Sequence, residues 1–358
     1  MPSLKEIKGR INSISSTLAI TSAMKMVAAA KLQKAQMAIQ NMLPYERRLH
    51  SMLIDLMGAM NISVAASEDG SVRGSGSAER GFDQSGDRLS LSNRHDLAGM
   101  DGAYSLMAQR EVRKVAIVAF ASNSSLCGAF NSNVIREATA VINEYRASGL
   151  RDSDIVVYSV GRKMAEAMRK LGFPSPADFT KMSDSPSYEA ASALAQELLD
   201  GFVSGRFDKV ELVYNHYKST SSQPTTRQTY LPLSLADATA DLQAGKIADS
   251  ASESDTNRGA EPVGAPVVRQ GSPTTEDLIV EPSKETLIAT LLPKVIRLRI
   301  FTTLLDSAAA EHAARTVAMQ LATDNGNDLL QELTLEYNKG RQQKITSEIL
   351  DLVGGSMQ

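Results

Sequence analysis

The sequence has no tryptophan, one cysteine (Cys127) and few aromatic residues, which make up 5% of its 358 residues. A single cysteine excludes an internal disulfide, and we expect a reducing compartment. No run of about 18 apolar residues is present, and the first ten residues lack the apolar stretch of a signal peptide. We therefore expect neither secretion nor a membrane span, and any work at a membrane would be that of a peripheral subunit.

What the sequence does contain is enough apolar material for a core, at 42% of residues, with a net charge of -3. This charge argues against general coating of nucleic acid, so the local distribution of charge matters more than the sum.

Apolar residues recur with heptad spacing in the N-terminal segment, where only Thr21 and Lys25 break the pattern. The pattern predicts a coiled-coil helix that Pro44 ends, about 60 Å long and therefore projecting from any ordinary domain. The a and d positions are Leu4, Ile7, Ile11, Ile14, Leu18, Thr21, Lys25, Ala28, Leu32, Ala35, Ile39 and Met42.

A second heptad seam occupies the C-terminal segment, where Pro293 suits the first turn of a helix. The seven-residue register continues across TDNGND (323–328), so we predict one helix to about Val353, roughly 90 Å long. We expect the two terminal helices to pair as an antiparallel coiled coil, with the C-terminal helix extending further. Its seam contains Val295, Leu298, Thr302, Leu305, Ala309, His312, Thr316, Met319, Thr323, Gly326, Leu330, Leu333 and Tyr337.

Between the terminal helices, strand patterns alternate with helix patterns, which predicts an α/β fold with a parallel, Rossmann-like layer. A last strand follows too closely for a crossover, so we place it antiparallel at an edge. The predicted strands are 115–121, 155–160, 210–217 and 227–233, and the predicted helices are 132–148, 162–171 and one opening at Ser185-Pro186 and reaching about Ser204.

Two polar stretches interrupt this order, at 61–110 and 236–276, and the second carries an excess of acidic residues. Their composition is typical of flexible insertions. The resulting domains are a coiled-coil helix (1–43), a linker with an insertion (44–110), an α/β domain (111–235), an acidic insertion (236–282) and a second coiled-coil helix (283–358).

No familiar catalytic motif is present, and the four histidines lie far apart in sequence. The best enzymatic candidate is SNSSLCGAFNSN (122–133), because a small-residue loop between a strand and a helix can bind phosphate. The same residues also suit a purely structural turn, which we favour, with Cys127 as a buried packing residue. We predict no catalytic residue, cofactor or metal, and keep a nucleotide-binding α/β enzyme with a coiled-coil arm as the alternative.

Charge is concentrated at the N-terminus. Residues 1–42 carry six cations against Glu6 alone, a net charge of +5. Solvated helix faces usually mix signs, so this bias suggests an acidic protein partner or nucleic acid.

Four stretches resemble the gamma subunit of the F-type ATP synthase. They are ISSTLAITSAMKMVAAAKLQKAQ near the N-terminus, the loop LCGAFN, EPS at 281–283, and EHAARTVAMQLATDNGNDLLQELTLEYNKGRQQKITSEILDLVGG near the C-terminus. The family usually has Asp-Arg-Gly or a close variant before LCG, where this chain has Asn123-Ser124-Ser125. The resemblance covers both terminal helices nearly end to end.

The resemblance implies a non-catalytic rotor shaft of the F1 sector, which couples ion flow to ATP synthesis or hydrolysis elsewhere in the complex. Its implied partners are three alpha and three beta subunits, the epsilon subunit and the membrane ring of c subunits, without nucleic acid. The implied location is peripheral, at the cytoplasmic face of the inner (plasma) membrane.

Residues are carried over by the same resemblance. Those expected to contact the alpha/beta ring are Met24, Lys25, Arg315, Arg341, Gln342, Thr346 and Glu348. Glu281 is expected at the foot, against the c ring and epsilon subunit.

Overall fold

In the computed structural model the described residues are 3–59, 106–107, 109–233, 281 and 283–355. Nearly all of both predicted insertions, 61–110 and 236–276, lies outside these residues. The described strands are β1 (Val115–Phe120), β2 (Ile155–Val160), β3 (Lys209–Asn215) and β4 (Thr225–Leu231). The α-helices are α1 (Leu4–Ala59), α2 (Phe130–Ala147), α3 (Arg162–Lys170), α4 (Thr180–Asp184), α5 (Tyr188–Val203) and α6 (Lys284–Gly355), with a 3-10 turn at Asp152–Asp154.

The four strands form one sheet in the order β2-β1-β3-β4. The first three are parallel and β4 is antiparallel to β3, as the sequence predicted. Helix α5 begins at Tyr188, where the Ser187 hydroxyl accepts the Ala190 N–H, and so starts slightly later than the predicted Ser185-Pro186 opening. Short helix α4 was not predicted.

The pleat of the sheet divides its side chains between two cores. One face, with Val118 and Phe120, packs against α5, α1 and α6, while the other, with Ile117 and Ala119, packs against α2 and α3. The first core joins the α/β domain to both terminal helices, so the domain and the helices share one continuous apolar interior.

Helices α1 and α6 pair antiparallel along the predicted seams. Every predicted a and d position of α1 is buried or half-buried, while most of its other positions are exposed. The helices approach closely because glycine stands opposite leucine: a Cβ on Gly326 would lie 2.6 Å from Leu18 Cδ2, and one on Gly340 would lie 3.1 Å from Leu4 Cδ2. The two-helix part of the molecule, called the rod below, is therefore narrow.

The prediction that Pro44 ends the first helix is wrong, because α1 continues through Pro44 to Ala59. Proline costs a helix interior about 3 kcal/mol. The heptad seam continues beyond it at Leu49, Leu53 and Leu56, all buried in the domain core. Since burying one leucine side chain contributes about 1.5–3 kcal/mol, these three residues together offset the proline.

Pro293 is likewise not in a first turn, since α6 begins at Lys284 and contains Pro293 in its interior. The true start is marked by Ser283, whose hydroxyl accepts the Thr286 N–H at 3.2 Å. Ile288 and Leu292 are buried before the proline is reached. At 72 residues α6 is about 108 Å long, somewhat more than predicted, and it runs through TDNGND without a break.

Close helix packing at Gly326 gives a testable expectation. Gly326→Val should destabilise the full chain by about 1–3 kcal/mol, because the new side chain meets Leu18 and forces the helices apart. Gly9→Val is the matched control, since a Cβ on Gly9 has nothing within 4 Å. Urea unfolding followed by helical circular dichroism measures both variants, and equal midpoints would contradict the packing described.

Candidate partner-binding surfaces

Beyond Gly340, helix α6 extends past the N-terminal end of α1. Leu4 of α1 packs at Gly340, and every described side chain from 341 onward is exposed. This single-helix segment, 341–355, is called the tail below and extends about 20 Å past the rod. An isolated helix of this length is marginal in water, so the tail is a surface that a partner would complete.

The tail carries an apolar stripe that sequence reasoning missed. Ile345, Ile349 and Leu352 are 47%, 53% and 74% exposed, and their spacing places them on one helical face. The sequence does contain a signal for this stripe. The heptad positions of α6 become polar at Lys344 and Ser347, while the apolar residues shift by one position and begin at Ile345. An unpartnered apolar stripe of this kind is typical of an interaction site.

The rod also exposes apolar side chains on its outer face. Ile20, Met26 and Val27 of α1 are each at least half exposed, as are Leu329 and Leu335 of α6. The cations of the basic N-terminal segment surround them, and Lys5, Lys8, Arg10, Lys31 and Lys34 are exposed. The surface therefore combines apolar contact with scattered positive charge.

The residues carried over from the resemblance fall in different environments. Met24 and Lys25 are half-buried on α1, and Lys25 lies on the seam rather than fully outside it. Glu281 is exposed just before α6 begins. The four tail residues Arg341, Gln342, Thr346 and Glu348 are exposed, and Glu348 lies 3.7 Å from Lys344.

Arg315 differs from the tail residues because its ion pair within the chain is largely buried. Its Nη1 donates to Glu311 Oε1 at 2.6 Å and its Nη2 to Ser124 Oγ at 2.6 Å. Both charged side chains of the ion pair are only about a tenth exposed. Burial raises the pKa of Glu311, and the Arg315 guanidinium opposes that shift by favouring the charged carboxylate.

Ser124 belongs to the 122–133 loop, whose polar groups bind one another rather than facing an open site. Asn131 Oδ1 accepts both the Ser122 N–H and the Ser122 hydroxyl at 3.0 Å. Arg162 donates to the Asn123 carbonyl, and the Asn123 amide donates to the Thr180 carbonyl. These contacts favour a structural turn over a phosphate site.

Cys127 lies in this loop as a packing residue. It is 1% exposed, and burial raises the pKa of its thiol. A raised pKa suppresses the reactive thiolate, as expected for a structural cysteine.

Two histidines on the long helices, buried His50 and half-buried His312, are uncharged at neutral pH. Burial, followed by the charges of nearby Arg315 and Lys31, lowers the pKa of His312, on the α6 seam, to about 4. Burial likewise lowers the pKa of His50, on α1, to about 4, followed by the effect of Arg299. Neither side chain adds to the positive surface of the rod at neutral pH.

Within the described residues, no group of three or more His, Cys, Asp or Glu side chains is arranged to hold a metal ion. Over the same part of the chain, no helix combines the length and hydropathy of a membrane span.

This architecture defines a class of protein: an elongated subunit, with a two-helix rod and a bare tail, attached to a small α/β domain. Comparison with known proteins makes it specific. A family model described as ATP synthase matches residues 3–357. The ATP synthase gamma chain of Phocaeicola vulgatus is 46% identical over 357 residues, and that of Bacteroides thetaiotaomicron is 45% identical over 358, each covering 100% of both chains.

Solved structures give the same fold. A chain of the Euglena gracilis mitochondrial ATP synthase rotor matches with a TM-score of 0.51 and 18% identity, covering 96% of this chain and 98% of that one. A chain from the OSCP/F1/c-ring structure of the same enzyme matches with a TM-score of 0.52 and 19% identity, covering 99% and 93%. The chain belongs to the ATP synthase gamma chain family.

The buried ion pair gives a second expectation. Arg315→Met should destabilise the chain by about 3 kcal/mol at pH 8, because the Glu311 carboxylate is left buried without its partner. Since the pKa of Glu311 is raised in the folded state, the loss should shrink as the pH falls through that pKa and the carboxyl group takes up a proton.

Urea unfolding at several pH values measures this effect, and the double variant Glu311→Gln with Arg315→Met is the control. The double variant should recover most of the loss and show little pH dependence. An equal loss in single and double variants would mean that the charge on Glu311 is not what Arg315 stabilises.

Proposed function

We propose that this chain is the central-stalk rotor subunit of an F-type ATP synthase, coupling ion flow through a c ring to chemistry at alpha/beta sites. Gamma chains are non-catalytic components of this enzyme. The observation that carries the proposal is the narrow rod ending in an exposed single-helix tail, because such a shape has a use only inside a surrounding partner.

The rod has the physical properties that rotation inside a ring requires. Alanine at the helix contact, as at Ala28, Ala309 and Ala313, keeps the helices close while preserving high helix propensity. Methionine and aliphatic side chains outside give contact without directional bonds, so no single orientation is held too tightly. The rod can therefore turn against its surroundings while staying stiff.

Asymmetry supplies the coupling. Two unlike helices cannot repeat a surface every third of a turn, so the rod presents a different face to each of three catalytic subunits. A face that binds one nucleotide state of a subunit better than another shifts that subunit toward the preferred state. Rotation then changes nucleotide affinity at each site in turn.

Contacts with the alpha/beta ring are assigned to the tail residues Arg341, Gln342, Thr346 and Glu348, together with Met24 and Lys25 on the rod. Exposure of the four tail residues supports this assignment. For Arg315 we propose a mainly structural role, because its side chain fixes the 122–133 loop against α6. Any contact between Arg315 and the ring would use the small part of the side chain that is exposed.

The opposite end of the molecule is assigned to the foot, where Glu281 faces the epsilon subunit and c ring. The location proposed is the cytoplasmic face of the inner (plasma) membrane, reached as a peripheral subunit. The alternative of a nucleotide-binding enzyme draws no support from the 122–133 loop, whose polar groups are paired internally.

The test is rotation in the reconstituted complex, in a Cys127→Ser background. Met26→Cys places a reactive thiol on the two-helix rod at a side chain 65% exposed. Disulfide cross-linking of this thiol to a cysteine introduced into a beta subunit, formed with an added oxidant, should reduce ATP-driven rotation of a bead on the α/β domain more than tenfold, and a reductant should restore rotation.

Gln342→Cys is the comparison, because the tail is one helix and can twist locally more easily than the rod. Its cross-link should inhibit less than the one at Met26. Unimpaired rotation with complete cross-linking at Met26 would overturn the proposed function.

A further inference from the structure

The hairpin between β3 and β4 reaches out of the α/β domain and contacts both long helices. Its backbone begins with the His216 N–H donating to the Pro224 carbonyl at 2.9 Å. Its base is fixed to the domain, since Asn215 donates to the Phe130 carbonyl and accepts from Thr225 Oγ1. The hairpin is therefore a rigid arm rather than a loose connection.

The first two residues of this arm, His216 and Tyr217, are bonded to the two long helices. Asp306 of α6 accepts two hydrogen bonds, from the Tyr217 N–H at 2.9 Å and from His216 Nδ1 at 2.6 Å. Gln36 of α1 donates to the Tyr217 hydroxyl at 2.7 Å. One pair of neighbouring residues thus joins the sheet to both helices.

Packing reinforces these bonds. The Tyr217 side chain packs against a cluster formed by Leu32 of α1 with Ala309 and Ala313 of α6, and also against the cluster of Cys127, Phe130 and Ala310. The alanines of α6 at this level leave room for the ring to enter between the sheet and the rod. Rotation of the domain relative to the rod would have to displace an aromatic ring and break three hydrogen bonds.

We propose that His216, Tyr217, Asp306 and Gln36 form a clamp that positions the α/β domain on the rod for torque transfer, and that the His216–Asp306 ion pair tightens it. The role of the clamp in torque transfer rests on the proposed function, whereas its contacts are those of the structure itself. In a rotor, torque applied at the foot is resisted by the partners around the rod. The junction between the α/β domain and the rod lies between these two sites.

The charge on His216 gives the clamp a pH dependence. The hydrogen bond and charge of Asp306 raise the pKa of His216, against opposing effects of burial and Lys218. The ion pair is therefore lost as the pH rises through the raised pKa of His216, leaving a hydrogen bond between a neutral imidazole and the Asp306 carboxylate. His216 and Asp306 line a cleft of about 680 Å³. The other titratable or charged groups that line it are Glu46, Arg47 and His50 from α1, Arg299 from α6, and Tyr214, Tyr217 and Lys218 from β3 and the hairpin.

Hydrogen exchange in the reconstituted complex tests the geometry directly. The variant is Asp306→Asn, which keeps an oxygen acceptor for the Tyr217 N–H but removes the charge. Exchange of the Tyr217 amide, corrected for its intrinsic pH dependence, should be about tenfold faster in this variant at pH 6. In the unmodified chain it should rise about threefold between pH 6 and pH 8.5, because His216 is half exposed and the pair is partly screened.

Two controls separate a clamp from a general loss of stability. Asp306→Glu should restore part of the protection and the pH dependence, since it restores the charge. Asp152→Asn removes the charge of an exposed ion pair with Arg146 elsewhere in the domain and should leave Tyr217 exchange unchanged. Exchange that is pH-independent in the unmodified chain, or equal in all variants, would overturn the clamp.

A rotation assay tests the purpose. A bead on the α/β domain should show at least twofold larger angular fluctuation relative to the rod in Asp306→Asn and in Tyr217→Phe, which loses only the hydroxyl. Unchanged fluctuation in both variants would overturn the clamp while leaving the rotor function standing. Absence of rotation in the unmodified complex would instead overturn the rotor function. The hydrogen-exchange result would still test whether the clamp contacts exist.

Discussion

The close antiparallel contact between α1 and α6 is the interaction on which the rest of the structure depends. Each helix carries a continuous apolar seam, which the other helix covers along the rod and which the domain core also covers near the α/β domain. Small residues at the contact, from Ala28 near the domain to Gly340 at the far end, set the narrow separation. A register fixed by glycine opposite leucine also determines where α1 starts relative to α6, and hence how much tail is left bare.

The α/β domain is attached to this pair by a mixture of forces. Its main core is continuous with α1 and α6, and Tyr230 adds a buried hydrogen bond from its hydroxyl to the Ile296 carbonyl at 2.9 Å. Polar links such as Arg315 to Ser124 contribute little net stability, but their directionality favours one geometry. Apolar burial therefore holds the domain on, while directional bonds fix its angle.

Heptad spacing predicted the long helices well because a coiled-coil seam is a local property of the sequence. It also predicted continuity through TDNGND, where the single glycine, Gly326, serves helix contact rather than a turn. Alternation of strands and helices predicted the sheet and its antiparallel edge for the same reason. These features depend only on residues close in sequence, or on one partner element with the same periodicity.

Predictions that depended on a single residue were less reliable. Pro44 was predicted to end a helix and Pro293 to lie in the first turn of one. Both lie inside helices, because leucines buried in the domain core outweigh the local cost of each proline. The apolar stripe of the tail was missed because it departs from the main seam by one position. Contacts such as Tyr217 with Gln36 join residues 181 positions apart, and no local pattern encodes them. The assignment of ring-contact residues stays a prediction.

The central claim is that the chain ends form one straight rod with a protruding tail, and pairs of spin labels on the full chain test it most directly. Labels at the exposed positions Asn12 and Glu332 lie across the helix contact, so we predict a narrow distribution set by axes about 10 Å apart. Moving the second label to Ile349 should lengthen the distance by about 20 Å, because the helix continues straight. A broad distribution for the first pair, or a second distance no longer than the first, would contradict the account.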